Sequence, residues 1–155
     1  MYKKILVPLD LSEYSLKALI HAEQLARLSG AELVLLHTIH YVTVYTWDGP
    51  AGTRDEGCIS EEQKEIADKF LSNKSEELKK KGIIASYAVG EGKDNAEKIL
   101  DFIEENDDID LVVLMTHGRS GIKRFVMGDV AEKVVRGHSR VPILLITSRA
   151  AEKIQ

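Results

Sequence analysis

Two hydrophobic rhythms alternate along the chain, and their order is its most informative feature. Ile5-Leu6-Val7-Pro8-Leu9 is an apolar run of strand length. Ser12 then suits an N-cap, and Ala18, Leu19, Ala22, Leu25 and Ala26 fall on one helical face before Ser29-Gly30 ends it. Leu33-Val34-Leu35-Leu36 predicts a second buried strand. Ser60-x-x-Gln63 has the form of a capping box, opening a helix that carries Ile66, Phe70, Leu71 and Leu78 and closes at Lys79-Lys80-Lys81-Gly82. Ile83 to Val89 predicts the third strand. Asp94-x-x-Glu97 starts a helix with Ala96, Ile99, Leu100 and Ile103 in register. Leu111 to Met115 is apolar at every position, as a strand covered by helices on both faces must be. Asp129-x-x-Glu132 is expected to cap a last main helix whose Ala131, Val134 and Val135 face inward. Val141 to Ile146 is the fifth strand, and Pro142, which cannot donate to a ladder, puts it at an edge.

The sum is β-α-β-α-β-α-β-α-β. It implies an α/β fold, a mostly parallel sheet, right-handed crossovers and helices on both faces. One domain is expected over residues 1–149, followed by a frayed tail at 150–155. The connection from Tyr41 to Ile59 breaks the rhythm. It is long, holds Gly49, Pro50, Gly52 and Gly57, and carries Tyr41, Tyr45 and Trp47. A lid, a partner contact and plain disorder all fit a connection of this kind.

Composition narrows the class. The 155 residues are 44% hydrophobic and 30% charged, the balance of a folded globular domain. A formal charge of −4 gives no broad attraction to nucleic acid. The single cysteine, Cys58, excludes an internal disulfide and fits a reducing compartment. No apolar run approaches the roughly 20 residues of a membrane span, so the cytoplasm is the expected setting.

In such a sheet, ligands bind beyond the carboxyl ends of the strands where the strand order reverses. Three segments therefore matter: Asp10-Leu11-Ser12, His37-Thr38, and Thr116-His117-Gly118-Arg119-Ser120-Gly121. The last combines two glycines, two hydroxyls, a guanidinium and an imidazole, with Lys123 and Arg124 beyond it. Such a loop can turn successive amides toward an anion; a glycine-eased turn with solvated charges explains the same residues.

At these residues the chain resembles the universal stress proteins. The resemblance rests on Ile5 to Asp10 with Ser12-Glu13, on Leu35-Leu36-His37, on Asp110 to Gly121, on Gly128 to Val135, and on Val141 to Leu144. It implies an open five-stranded sheet in the order 3-2-1-4-5, of the adenine nucleotide alpha hydrolase-like kind. It also implies a homodimer pairing the last strands, Val141 to Thr147, antiparallel. Many members bind ATP through Gly, two residues, Gly, nine residues, Gly and Ser or Thr. Here that pattern falls on Met115, Gly118, Gly128 and Asp129. Met115 puts a thioether where a glycine admits the ligand. Asp129 puts a carboxylate where a hydroxyl meets phosphate, a repulsion of about 4 kcal/mol at 4 Å in an effective dielectric near 20. The remaining candidates are kept: Pro8, Asp10, Thr38, His117, Gly118, Arg119, Ser120, Gly121 and Gly128. AMP or another lightly charged adenosine derivative is therefore expected over tightly held ATP, with Mg²⁺ as a bridge that would reconcile Asp129 with phosphate.

No catalytic set emerges. Gly118-Arg119-Ser120-Gly121 is one residue short of a nucleophile elbow, a P-loop is absent, and His37-x-x-His40 places its rings on opposite strand faces. Two functions stay open: a nucleotide-binding sensor, and a dimeric interaction protein with a degenerate pocket acting through the 41–59 loop.

Overall fold

Ser12 begins the first helix as its position predicts. In the computed structural model, which describes residues 1–41, 44–45, 54–55, 60–117, 127–137 and 139–152, β1 (Lys4–Pro8) leads into α1 (Glu13–Ser29). The Ser12 hydroxyl accepts from the Ser15 amide at 3.2 Å. Gly30 closes the helix in the left-handed region (φ 71°), where its N–H donates to the Ala26 carbonyl. β2 (Glu32–His40) follows. β3 (Val44–Tyr45) and β4 (Arg54–Asp55) then form a short antiparallel ladder within the long connection. Trp47, Gly49, Pro50, Gly52, Gly57 and Cys58 lie outside the described residues.

The predicted capping box forms at the start of α2 (Glu61–Lys80), with both reciprocal bonds at 3.2 Å. Next come β5 (Ala85–Gly92), α3 (Asn95–Glu105), β6 (Leu111–Met115), α4 (Asp129–Arg136), β7 (Ile143–Ile146) and α5 (Ser148–Glu152). Five strands assemble in the order β5-β2-β1-β6-β7, every neighbour parallel. Counted along the chain this is 3-2-1-4-5. No helix among the described residues is long and apolar enough to cross a membrane.

Strand alternation splits the core into two layers. Ile5, Val7, Leu33, Leu35, Val113 and Met115 pack under α1, α2 and α5; Leu6, Val34, Leu36, Val112 and Leu114 pack under α3 and α4. Three expectations are corrected here. Ile66 is 54% exposed, because α2 meets the sheet along Ala67, Leu71, Ser75 and Leu78, where a small residue permits close approach. Val135 is exposed while Val134 is buried, so α4 presents a narrower apolar stripe than its sequence offers. Residues 150–152, expected to fray, instead continue α5, with Ala151 buried in the α1-side layer.

Candidate functional site

The chain leaves β1 for a helix on one face and β6 for a helix on the other, so the sheet parts at their carboxyl ends. A cavity of about 760 Å³ occupies that place. Pro8, Leu9 and Asp10 border it from the end of β1, His37 and Thr38 from β2, Met115, Thr116 and His117 from β6, and Gly128 and Asp129 from the start of α4. Of the residues singled out in the sequence, Pro8, Asp10, Thr38, Met115, His117, Gly128 and Asp129 thus meet around one space. Gly118, Arg119, Ser120 and Gly121 lie outside the described residues.

The β1–α1 turn is built by its own side chains. Asp10 Oδ1 accepts from the Ser12 amide at 3.0 Å and from the Ser12 hydroxyl. Leu11 is held at φ 63°, a left-handed conformation that a branched side chain adopts at a cost. Beside it, His37 Nδ1 donates to the Leu9 carbonyl over 2.7 Å, which fixes the imidazole against the end of β1.

Thr116 anchors the other wall. Its amide donates to the Ile146 carbonyl at 2.9 Å, its own carbonyl accepts from the Gly128 amide at 2.7 Å, and its hydroxyl lies 2.9 Å from His117 Nδ1. Residues 116 and 128 are thereby clasped, and the Gly128 amide, a candidate phosphate donor in the sequence, is already used.

That clasp also corrects the reading of Asp129. Gly128 (φ −62°, ψ 151°) is the N-cap of α4, and no side chain among the described residues caps the helix. Asp129 is the first helical residue; its carboxylate is 80% exposed and pairs with Lys133 at 3.1 Å. Glu132 reaches forward to Arg136 at 3.0 Å rather than back to a cap. Asp129, Val130 and Ala131 at the start of α4 lie on the cavity wall, and the Asp129 charge is balanced one turn on.

Met115 is corrected as well. It shares the α1-side layer with Val113, Ile146 and Ala151 and is 7% exposed. Strand parity sends its thioether into the core, so Met115 borders the cavity without standing across it.

Sequence reasoning missed Asn95, Ile99 and Lys133. Asn95 and Ile99 border the cavity from α3. Lys133 Nζ bridges Asp94 Oδ2 at 2.7 Å and Asp129 Oδ2 at 3.1 Å, tying the starts of α3 and α4. The amphipathic period of α3 marked Ile99 as core, but no local pattern says which helix ends meet at a sheet edge.

Asp94 caps α3, accepting from the Ala96 and Glu97 amides at 2.8 and 3.3 Å. The Lys133 ammonium, with help from those amides, holds its carboxyl below the usual carboxylate range, and Asp94 then Asp129 raise Lys133 in turn. A depressed folded-state pKa means that the stabilisation is complete above the unfolded value and is lost as pH falls through the folded one. Asp94→Ala is expected to cost about 1–2 kcal/mol at pH 7 in urea unfolding. The difference from wild type should shrink as the pH drops below about 4; an equal deficit at pH 7 and pH 2 would contradict the assignment.

A profile of the Universal stress protein family matches residues 1–147. The chain belongs to this family. Among its members, universal stress protein YxiE of Bacillus subtilis is 36% identical over 154 residues, covering 94% of this chain and 99% of that one. Two solved universal stress proteins share the fold. One, from Archaeoglobus fulgidus in complex with dAMP, aligns with a TM-score of 0.65 at 23% identity, covering 94% of this chain and 98% of its own. The other, in complex with cAMP, aligns at 0.65 and 22% identity, covering 95% and 98%. In this universal stress protein Met115 and Asp129 stand at the positions where the resemblance implies a glycine and a hydroxyl.

Proposed function

We propose that this universal stress protein is a cytoplasmic, homodimeric sensor that binds an adenine nucleotide of the AMP kind and does not turn it over. The observation that carries the reading is that the start of α4, which no side chain among the described residues caps, lines the same cavity as Asp10 and Thr38. A helix N-terminus offers unpaired amides and a partial positive charge to phosphate. Asp10 is placed to accept from ribose hydroxyls, and about 760 Å³ falls within the range of small-molecule sites. Asn95 and His117 line the cavity, and their Oδ1 and Nε2 atoms are buried without a hydrogen-bond partner among the described residues. The ligands of the two solved relatives, dAMP and cAMP, are adenine compounds with one phosphate.

Gly118, Arg119, Ser120 and Gly121 complete the reading as phosphate-holding residues of the β6–α4 loop. Lys133 offsets much of the repulsion expected from Asp129, so ATP binds more weakly than AMP but is not shut out. Magnesium, where it takes part, arrives with the phosphates.

The dimer is assigned to β7. This strand pairs only with β6 among the described residues, and Leu144 is 38% exposed on it. The opposite edge, β5, carries Ser86, Gly90, Glu91 and Gly92, which blunt strand addition.

Calorimetric titration with AMP, ADP and ATP, each with and without Mg²⁺, tests the binding reading. Saturable heat with AMP, at least as tight as with ATP, is the expected result. Silence with all three discards the sensor.

A further inference from the structure

Lys133 stands one turn into α4, and its ammonium serves two carboxylates at once. Nζ lies 2.7 Å from Asp94 Oδ2 and 3.1 Å from Asp129 Oδ2. The two partners are differently placed. Asp129 lines the cavity at the start of α4, whereas Asp94, the N-cap of α3, does not line it. Asp94 also divides its oxygens: Oδ1 accepts from the Ala96 and Glu97 amides at 2.8 and 3.3 Å, and Oδ2 holds Lys133. Capping bonds thus fix Asp94 to its helix. The Asp129 carboxylate is 80% exposed against 33% for Asp94, and its contact with the ammonium is the longer one. Lys133 is held first by Asp94, and two carboxylates with one ammonium leave one net negative charge in the group.

A negative charge at the cavity wall acts on an anionic ligand in proportion to the ligand's own charge. A single phosphate ester carries about two negative charges at neutral pH, and each further phosphate adds to them. Base and ribose are identical in AMP and ATP, so the charge around the phosphates decides between the two. The position of Lys133 sets that charge. Drawn to Asp94, it leaves Asp129 partly unbalanced; released, it would pair fully with Asp129 or with phosphate itself. A compact ammonium on a flexible four-carbon stem is suited to such an exchange of partners.

We propose that Asp94 and Lys133 set the phosphate-charge selectivity of this protein: by holding the Lys133 ammonium at the start of α3, Asp94 withholds it from Asp129 and biases the site toward nucleotides with few phosphates. This role rests on the nucleotide reading above and names what governs the choice among its ligands. Asp94 acts through Lys133 from outside the cavity, as a positioning residue.

Calorimetric titration with AMP and with ATP, both without Mg²⁺ and at low salt, tests this on four full-length proteins. Asp94→Asn keeps an oxygen for the capping amides and removes the charge that holds Lys133; it should strengthen ATP about tenfold relative to AMP. Lys133→Met keeps the stem and removes the ammonium; it should weaken ATP about tenfold relative to AMP. The two substitutions break the same contact yet act in opposite directions, which a purely structural role would not produce. In the double variant no ammonium remains to be released, so Asp94→Asn should shift the ratio clearly less than it does with Lys133 present. The proposal is overturned if either single substitution moves AMP and ATP alike. It is equally overturned if Asp94→Asn shifts the ratio as far without Lys133 as with it, since Asp94 would then act through its own charge alone. In both cases the nucleotide site stands. If wild type binds neither nucleotide, the sensor reading itself falls and this role falls with it.

Discussion

Met115→Gly is expected to destabilise the protein by about 3 kcal/mol and to add nothing to nucleotide affinity. Val113 and Met115 share one core layer and Leu114 the other, so the Met115 side chain is committed to the packing between β6, β7 and the α1-side layer, at 7% exposure. Removing a buried methionine side chain leaves a cavity that costs about 2–5 kcal/mol. Glycine within a strand adds roughly 0.5–1 kcal/mol by freeing the unfolded chain. Restoring the glycine of the family pattern therefore does not restore a site here. Urea unfolding measures the first effect and calorimetry the second. A loss below about 1 kcal/mol together with a gain in ATP affinity would place the thioether in the crevice and refute the packing argument.

Leu144→Arg should convert the proposed β7-paired dimer to monomers, weakening association about 100-fold, which corresponds to about 2.7 kcal/mol. Leu144 lies on the outer strand and is already 38% exposed, so the monomer loses little of its own core. Across a two-fold axis each substitution occurs twice, and two guanidinium groups would be brought together in a surface that had been apolar. Light scattering with size-exclusion chromatography at micromolar concentration gives the mass. A dimer of unchanged stability would move the interface away from β7. Thermal melting of the same samples separates dissociation from unfolding.

The elements themselves were legible because each carried its own start and stop chemistry. Ser12, Ser60 and Asp94 cap the helices they were expected to cap, and Gly30 and Gly82 end theirs with positive φ. Those signals are local, since a cap satisfies amides within its own turn. The two misread boundaries had non-local causes. The Asp129-x-x-Glu132 pattern looks like a cap, but Gly128, extended and with its amide bonded to the Thr116 carbonyl, takes the N-cap position and starts the helix one residue earlier than the pattern implies. The tail looks unstructured, but Ala151 finds room in a core layer made by distant strands.

Alternating periods, buried strands and capping residues were enough to determine the α/β class, and together with the family resemblance the 3-2-1-4-5 order, because these depend on neighbours a few residues apart and on the handedness of crossovers. Only the tertiary structure decided that Met115 turns into the core, that Lys133 ties Asp94 to Asp129 across two helix starts, and that Asn95 and Ile99 of α3 line the cavity. Each of those depends on which elements meet at one edge of the sheet, and residues separated by some forty or more positions leave no mark of that meeting in their own local pattern.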